Sequence, residues 1–550
     1  MKSSRRPLWI IGIDGLEPRL LSSWSAAGEL PTLASLAARG VTGRLLSTPN
    51  QMTSSAWVTM ATGANPGAHG VYNFQERVPG EYRLRLPTAN DRRLAAFWEL
   101  ASGAGLSVTT ARVPMSYPVR PVNGIQVADW LAPSPHAPGF VYPETLRRGL
   151  LRRFPGRYWL EPVDLTRAAP QKALRGVLES VDHTFRLFRY LLDQRPADLF
   201  FGVVREADVA GHLFWDFHTG AREAPAPHRK TMAEALLTVY RRIDRALGEL
   251  LGAMPAEANL LIVSDHGMGA TPLAPRCVGP LLEATGLMAR KPGNAASGKR
   301  PLARLRSQVS AVLPWALRRR LRPLGPDDWA VGFTDSHLAT IDFGRSRAFS
   351  FLSLTTGEIW LNLVGRDPQG TVRPAEREQL ELDIQELFVA SEDAETGQPL
   401  VRNAWRRQDL FHGPYQDILA DLHIEFDLEA RPRAVRSRFR QRDIVVDLPP
   451  AGPAGGMHRP YGAFLASGPS IRHREKPVAG TLMDLAPTFL SLLDLPVPDA
   501  CEGRVLGEIL APRGDGIQGP RQRGAGLTAA RYTREELATI EQRLSRLGYL

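Results

Sequence analysis

Cysteine is almost missing from this chain of 550 residues: Cys277 and Cys501 are the whole complement. Two thiols exclude a disulfide framework and a thiolate zinc site, and they are compatible with a reducing compartment. Long apolar runs are missing as well, and none approaches the length of a membrane span. Near the N-terminus, Ser4-Arg5-Arg6 is followed only by the short run Leu8–Ile13 before Asp14 interrupts it. A secretory signal needs a longer apolar region and a small-residue cleavage site. The expectation is therefore a cytoplasmic protein with neither signal peptide nor transmembrane segment. Acidic residues are absent from one stretch: between Arg290 and Arg322 lie ten basic side chains and no Asp or Glu. The net charge is +11, so the rest of the chain is close to neutral. A charge confined to one insert removes most of the support for nucleic-acid binding.

What is present is an ordinary globular composition, 43% hydrophobic and 23% charged, and enough chain for a large core. Several short apolar runs end in residues of metal-ligand type. Leu8–Ile13 runs into Asp14, and Leu199–Val204 leads to Asp208-Val-Ala-Gly-His212. Leu260–Val263 runs into Ser264-Asp265-His266-Gly267, while His458 sits just before Gly462–Ser467. Short apolar runs bounded by turn residues read as buried strands of a parallel sheet. Reactive groups in such sheets gather beyond the carboxyl ends of the strands.

The helical spacing of Leu236, Tyr240, Ile243, Leu247 and Leu250 lies between two of these strands. Strand–helix–strand alternation argues for an α/β fold with a doubly wound, mostly parallel sheet. Residues 1–510 read as the catalytic domain, with a Pro- and aromatic-rich lid at 130–175 and a basic insertion at 285–345. Strand-like material resumes at Glu358–Val364 and Leu422–Phe426. Residues 511–530 read as a linker, and 531–550 as a C-terminal helix opened by the capping box Thr533-Arg-Glu-Glu536.

Asp208 and His212 are four residues apart, which places both on one helical face. Asp265 and His266 are adjacent and point differently, so one cluster can serve two ions. Carboxylates and imidazoles suit zinc, and manganese in a looser geometry. Two divalent ions can clamp the attacking and leaving oxygens of a phosphoryl transfer, and a nearby hydroxyl can act as nucleophile. Thr53, Ser54 and Ser55 are the candidates.

These motifs together resemble the alkaline phosphatase superfamily, in its type I phosphodiesterase/nucleotide pyrophosphatase family. The matching segments are Ile-Gly-Ile-Asp14-Gly15, Thr53 through Thr62-Gly63-Ala-Asn-Pro66-Gly-Ala-His69-Gly70, Asp208 to His212, Ser264 to Gly269, and Gly456-Met-His458. Trp57, Trp215, Gly365 to Val372 and Leu547-Gly-Tyr-Leu550 look like the phosphohydrolase/phosphomutase-like subgroup. The resemblance implies an alkaline-phosphatase-like fold and hydrolysis of phosphate esters. It implies one ion on Asp208, His212 and His458 and a second on Asp14, Asp265 and His266. Thr53 is then both nucleophile and metal-facing hydroxyl. Nucleotide pyrophosphatases carry a phosphate-binding Asn after the His-Gly pair. Phe74 occupies the collinear position here, and Asn73, one residue earlier, is the substitute.

The expected substrate is a small anionic phosphate ester, and the expected cofactors are two divalent ions, Zn2+ or Mn2+. A phosphotransferase or phosphomutase on the same core is the alternative, and a catalytically inactive metal-binding protein is the third class. The basic stretch 290–322 has three readings: peripheral docking on anionic lipid, a cap that draws an anionic substrate inward, and a solvated surface. Oligomeric state is not encoded in any motif.

Overall fold

Leu8–Ile13 is buried at all six positions because it becomes a central strand covered on both faces. In the computed structural model, which describes residues 5–156, 159, 169–292, 338–351, 354–448, 455–511 and 534–546, it lies in a nine-stranded sheet. The strands are β1 (Leu8–Ile13), β2 (Val41–Leu46), β3 (Val108–Ala111), β4 (Gly124–Val127), β5 (Val141–Tyr142), β6 (Leu199–Val204), β7 (Asn259–Val263), β8 (Tyr461–Ser467) and β9 (Val478–Thr481). Their order across the sheet is β9-β2-β8-β7-β1-β6-β3-β4-β5. β1 pairs in parallel with both β6 and β7, and β3 in parallel with β6 and β4. β8 runs against β7 and β2, and β5 runs against β4.

Side chains alternate across a strand, so β1 feeds two cores at once. Trp9, Ile11 and Ile13 join one hydrophobic cluster, together with the helices Pro170–Gln194 and Ala235–Leu251. Leu8 and Ile10 join the other, with Trp57, Phe97 and Phe489. Each such fully buried side chain stabilises the fold by roughly 1.5–3 kcal/mol. The doubly wound, mostly parallel sheet expected from the sequence is present.

Three regions refine that expectation. Val141–Tyr142 lies in the segment read as a lid, yet it pairs with Gln126 and Val127 as the sheet's edge strand. In the same segment Trp130, Phe140 and Trp159 are buried in the main core. Thr356–Leu361 and Leu422–Phe426 do not enter the main sheet; they pair antiparallel in a separate four-stranded sheet with its own core. The C-terminal helix Arg534–Arg546 packs Ile540 and Leu544 into the main core. Residues 293–322 of the basic stretch, the 512–530 part of the linker, and Thr533 of the capping box lie outside the described residues. No helix among the described residues is long and apolar enough to cross a membrane.

Candidate active site

The parallel strands deliver their ends to one edge. Asp14 follows β1, Asp265 follows β7 by two residues, and Asp208 follows β6 by four, one turn into the helix Glu206–Thr219. That helix supplies the spacing foreseen for Asp208 and His212, whose Oδ1 and Nε2 are 3.2 Å apart. His458 arrives differently. It lies on Gly456–Arg459, paired antiparallel with Gly267–Ala270, where Met268 faces it in register. Because β8 is antiparallel, its amino end meets the carboxyl ends of its neighbours, and His458 lands at the same edge.

Glycines permit this convergence at two points. Gly15 has φ +67, and its Cα faces the Asp208 backbone so closely that a Cβ would lie 3.0 Å from the Asp208 Cα. A Cβ on Gly12 would sit 2.3 Å from the Trp57 ring. That ring donates its Nε1 hydrogen to Asp14 Oδ2 at 3.3 Å.

The ligand atoms of Asp208, His212 and His458 lie within 4.8 Å of one another, and so do those of Asp14, Asp208 and His266. Asp208 therefore touches both groups, a sharing that the sequence did not reveal. Asp265 Oδ2 is 3.2 Å from His266 Nε2, and its Oδ1 accepts from Gly15 N at 3.3 Å. His266 Nε2 is 3.4 Å from Asp14 Oδ1. The His266 and His458 rings stack at 3.6 Å.

The imidazoles are oriented from behind. Nδ1 of His212, His266 and His458 lies 2.8, 3.0 and 2.6 Å from the carbonyl oxygens of Gly456, Gly267 and Gln51. A carbonyl only accepts, so each Nδ1 carries the hydrogen and each Nε2 turns a lone pair inward. His212 Nε2 and His458 Nε2 are 3.1 Å apart. Two lone pairs at that separation, beside the Asp208 carboxylate 3.2 and 3.3 Å away, suit a cation between them. Asp14 Oδ1 and Asp265 Oδ2 accept no hydrogen bond among the described residues, although both are buried. Carbonyl-anchored histidines around carboxylates are the arrangement by which proteins hold divalent ions.

The electrostatics follow from this crowding. Burial, reinforced by Asp265 and Asp208, pushes the Asp14 carboxyl well above its usual range. Burial and the Asp208 charge do the same to Asp265. Burial also opposes ionisation of Asp208, but His212 and His458 outweigh it and hold that carboxyl well below its usual range. Burial and the neighbouring His458 hold His266 well below the ordinary imidazole range.

Thr53 opens the helix Thr53–Thr62, and its Oγ1 is 3.2 Å from His266 Nε2. Ser55 is engaged elsewhere, donating toward Thr48 Oγ1 and Asn50 Oδ1 at 2.9 and 3.0 Å. Of the three candidate hydroxyls, Thr53 is the one the structure records beside a candidate ligand. Its neighbours at the helix start have N–H groups without intrahelical partners, a setting that favours anions. Asn73 shares a narrow recess with Met52, the residue preceding Thr53. Phe74, at the collinear position, is buried against Trp130 and cannot substitute for an amide. His69 is architectural: it accepts from Val71 N through Nδ1 and faces Thr59 Oγ1 at 2.9 Å. Burial and Arg92 hold it down to about 3.

The model of the family described as type I phosphodiesterase / nucleotide pyrophosphatase matches residues 8–314, more than half of the chain. The chain belongs to this family. It is a phosphoric ester hydrolase of a metal-dependent kind, and phosphate esters or nucleotides are the substrates that fit the family. Phosphonoacetate hydrolase from Sinorhizobium meliloti 1021, in complex with phosphonoformate, shares the fold at TM-score 0.50 and 15% identity, covering 89% of this chain and 95% of that one. Human ectonucleotide pyrophosphatase/phosphodiesterase 5 shares it at TM-score 0.50 and 13% identity, covering 92% and 100%. No curated protein matches the chain in sequence.

Sequence reasoning missed Glu358, buried in the same recess as Asn73. Its signal was a lone carboxylate running into the apolar Ile359-Trp360-Leu361 of the strand Thr356–Leu361.

Proposed function

We propose that the protein hydrolyses phosphate esters through a covalent Thr53 intermediate, with two divalent ions, Zn2+ or Mn2+, held at the edge of the main sheet. The observation that carries this reading is the convergence of three Nε2 lone pairs and three carboxylates beside one threonine hydroxyl. Asp208, His212 and His458 would hold one ion, and Asp14, Asp265, His266 and the Thr53 hydroxyl the other. Bound there, divalent ions supply the positive charge that favours deprotonation of a hydroxyl and stabilises a leaving oxygen.

Thr53 Oγ1 attacks phosphorus in line, and the Oγ1–P bond forms as the bond to the leaving oxygen breaks. The N–H groups opening the Thr53–Thr62 helix face the non-bridging oxygens, and the Asn73 amide holds the phosphate in register. Water then cleaves the threonyl ester and returns Thr53. A phosphotransferase or phosphomutase would share the first step and differ only in the acceptor.

The test combines metal analysis of the purified protein with a screen of aryl phosphate mono- and diesters. Acid quenching during turnover, followed by mass spectrometry, should find phosphate or the phosphodiester residue on Thr53. A quenched enzyme without adduct, combined with full activity in Thr53→Ala, would overturn the nucleophile. Product analysis with added alcohols separates hydrolysis from transfer.

A further inference from the structure

A hydrogen-bonded chain of three buried side chains leads into the recess beside Thr53, and its proton positions can be worked out. Glu358 lies in the strand Thr356–Leu361 of the antiparallel sheet and is 4% exposed. Burial and a hydrogen bond to Tyr72 are the influences on its carboxyl, and no cation is among them. The Tyr72 hydroxyl also meets His423 Nδ1 at 3.2 Å, and His423 Nε2 lies 3.1 Å from the Ala420 carbonyl oxygen.

The Ala420 oxygen can only accept, so His423 Nε2 carries a hydrogen. Burial holds His423 down to about 4, so at neutral pH its Nδ1 is a bare lone pair. Tyr72 must therefore donate to Nδ1. Its own oxygen remains an acceptor toward Glu358, which has to supply the proton. Glu358 is thus a neutral carboxylic acid, in keeping with burial pushing it up to about 8. Its hydroxyl is spent on Tyr72, and its carbonyl oxygen remains to accept.

Glu358 lines the recess with Asn50, Met52, Asn73, Thr355 and Thr356. Thr355 Oγ1 donates to the Asn50 carbonyl at 3.0 Å, tying this wall to the loop that ends at Thr53. Among the described residues no lysine or arginine lines it, and its 10 Å3 of space suits one water-sized group.

We propose that this recess is a specificity subsite in which Glu358 accepts a hydrogen bond from a hydroxyl on the esterified alcohol, so that the enzyme favours phosphate esters of hydroxylated alcohols. A neutral acceptor does this without placing a second negative charge beside the phosphate. Among the described residues its lining offers no cation for a second phosphate. The inference rests on Thr53 being the nucleophile, since Thr53 sets where the ester sits.

The test uses the metal-loaded enzyme and two diesters, 4-nitrophenyl 2,3-dihydroxypropyl phosphate and its dimethoxy counterpart, each corrected for uncatalysed release. The wild type should favour the dihydroxy ester about tenfold in kcat/KM, the scale of one hydrogen bond, with the difference mainly in KM. Glu358→Gln should keep the preference, because its amide donates to Tyr72 and its carbonyl faces the recess. Glu358→Ala should bring the ratio to about one. No preference in the wild type, or a preference that survives in Glu358→Ala, would overturn the subsite.

A second measurement covers a variant that fails to fold. Infrared difference spectra of wild type against Glu358→Gln at pH 7 should show the carbonyl band of a protonated carboxyl, and its absence would overturn the assignment. Thr53→Ala keeps the two readings apart. If it turns over both esters normally, the nucleophile falls and the subsite with it. If it is inactive while Glu358→Ala keeps the preference, only the subsite falls.

Discussion

Two buried carboxylate clusters in this molecule are built on opposite rules. In the antiparallel unit, Asp421 receives both Arg366 guanidinium nitrogens at 2.8 Å and the Leu361 N–H at 2.8 Å, with Arg407 at 3.6 Å. Asp367 pairs with Arg77 and accepts from Leu363 N at 2.7 Å. Burial works against ionisation of Asp421, yet Arg366 wins and holds it below its usual range. At the carboxyl edge of the main sheet, Asp14, Asp208 and Asp265 are equally buried, but the ion-pair partners recorded for them are imidazoles. A carboxylate matched by arginines is complete and holds structure. Carboxylates matched only by inward lone pairs call for a cation from outside.

The largest test of that difference is functional. His458→Ala and Asp265→Ala should each lower kcat/KM on an aryl phosphate ester by about 100- to 1,000-fold or more, the scale for loss of a group that stabilises transition-state charge. Asp421→Asn should leave kcat nearly unchanged in whatever fraction stays folded. Normal turnover in either edge variant would dissolve the contrast.

Stability should show the reverse order. Asp421→Asn leaves the buried Arg366 charge without its full partner and should cost about 3–5 kcal/mol in denaturant unfolding. In chelator-treated protein, Asp265→Asn removes a like charge from beside Asp14 and Asp208, so its melting temperature should rise. A large loss in Asp265→Asn under those conditions would mean that the edge cluster is held together as the arginine cluster is.

Ion binding should separate the clusters a third time. Adding Zn2+ or Mn2+ to chelated protein at about 100 times the dissociation constant should stabilise it by about 2.7 kcal/mol for each ion bound. The gain should shrink by one ion's share in His458→Ala and persist in full in Asp421→Asn. Equal gains in all three proteins would place the ion elsewhere.

The edge cluster was legible in the sequence because its residues sit next to apolar runs of strand length. β1 and β6 have the bounds that their runs announced, and Asp14 and Asp208 followed from them. Less legible was whatever depends on pairing between distant segments. Nothing local tells Thr356–Leu361 to join Leu422–Phe426 instead of the main sheet, because both kinds of strand look alike as apolar runs. The sharing of Asp208 between two ligand groups, and the recess that brings Glu358 to Asn73, arise from packing between such segments. The arginine cluster was hidden for the same reason: Arg77, Arg366 and Arg407 are scattered in a chain full of arginine, and only the fold selects them.

Glu358 gives the smallest test and stands between the two clusters, since it is buried and, among the described residues, neither a guanidinium nor a metal-type imidazole acts on its carboxyl. It stays protonated instead. Burial raises it to about 8 in the folded protein, above the ordinary carboxylate range of the unfolded chain. Below pH 4 both states hold the proton, and the full stability is present. Between the unfolded pKa and about 8 the unfolded state releases its proton while the folded state keeps it, so stability falls with rising pH. The slope from this group is about 1.4 kcal/mol per pH unit at most, flattening above the folded value. Glu358→Gln cannot titrate, so urea unfolding from pH 5 to 9 should show wild type losing stability relative to the variant, with the difference levelling off above pH 8. A difference that stays flat from pH 5 to 9 would mean that Glu358 is ionised in the fold, with Tyr72 donating to it and His423 Nδ1 left without its donor.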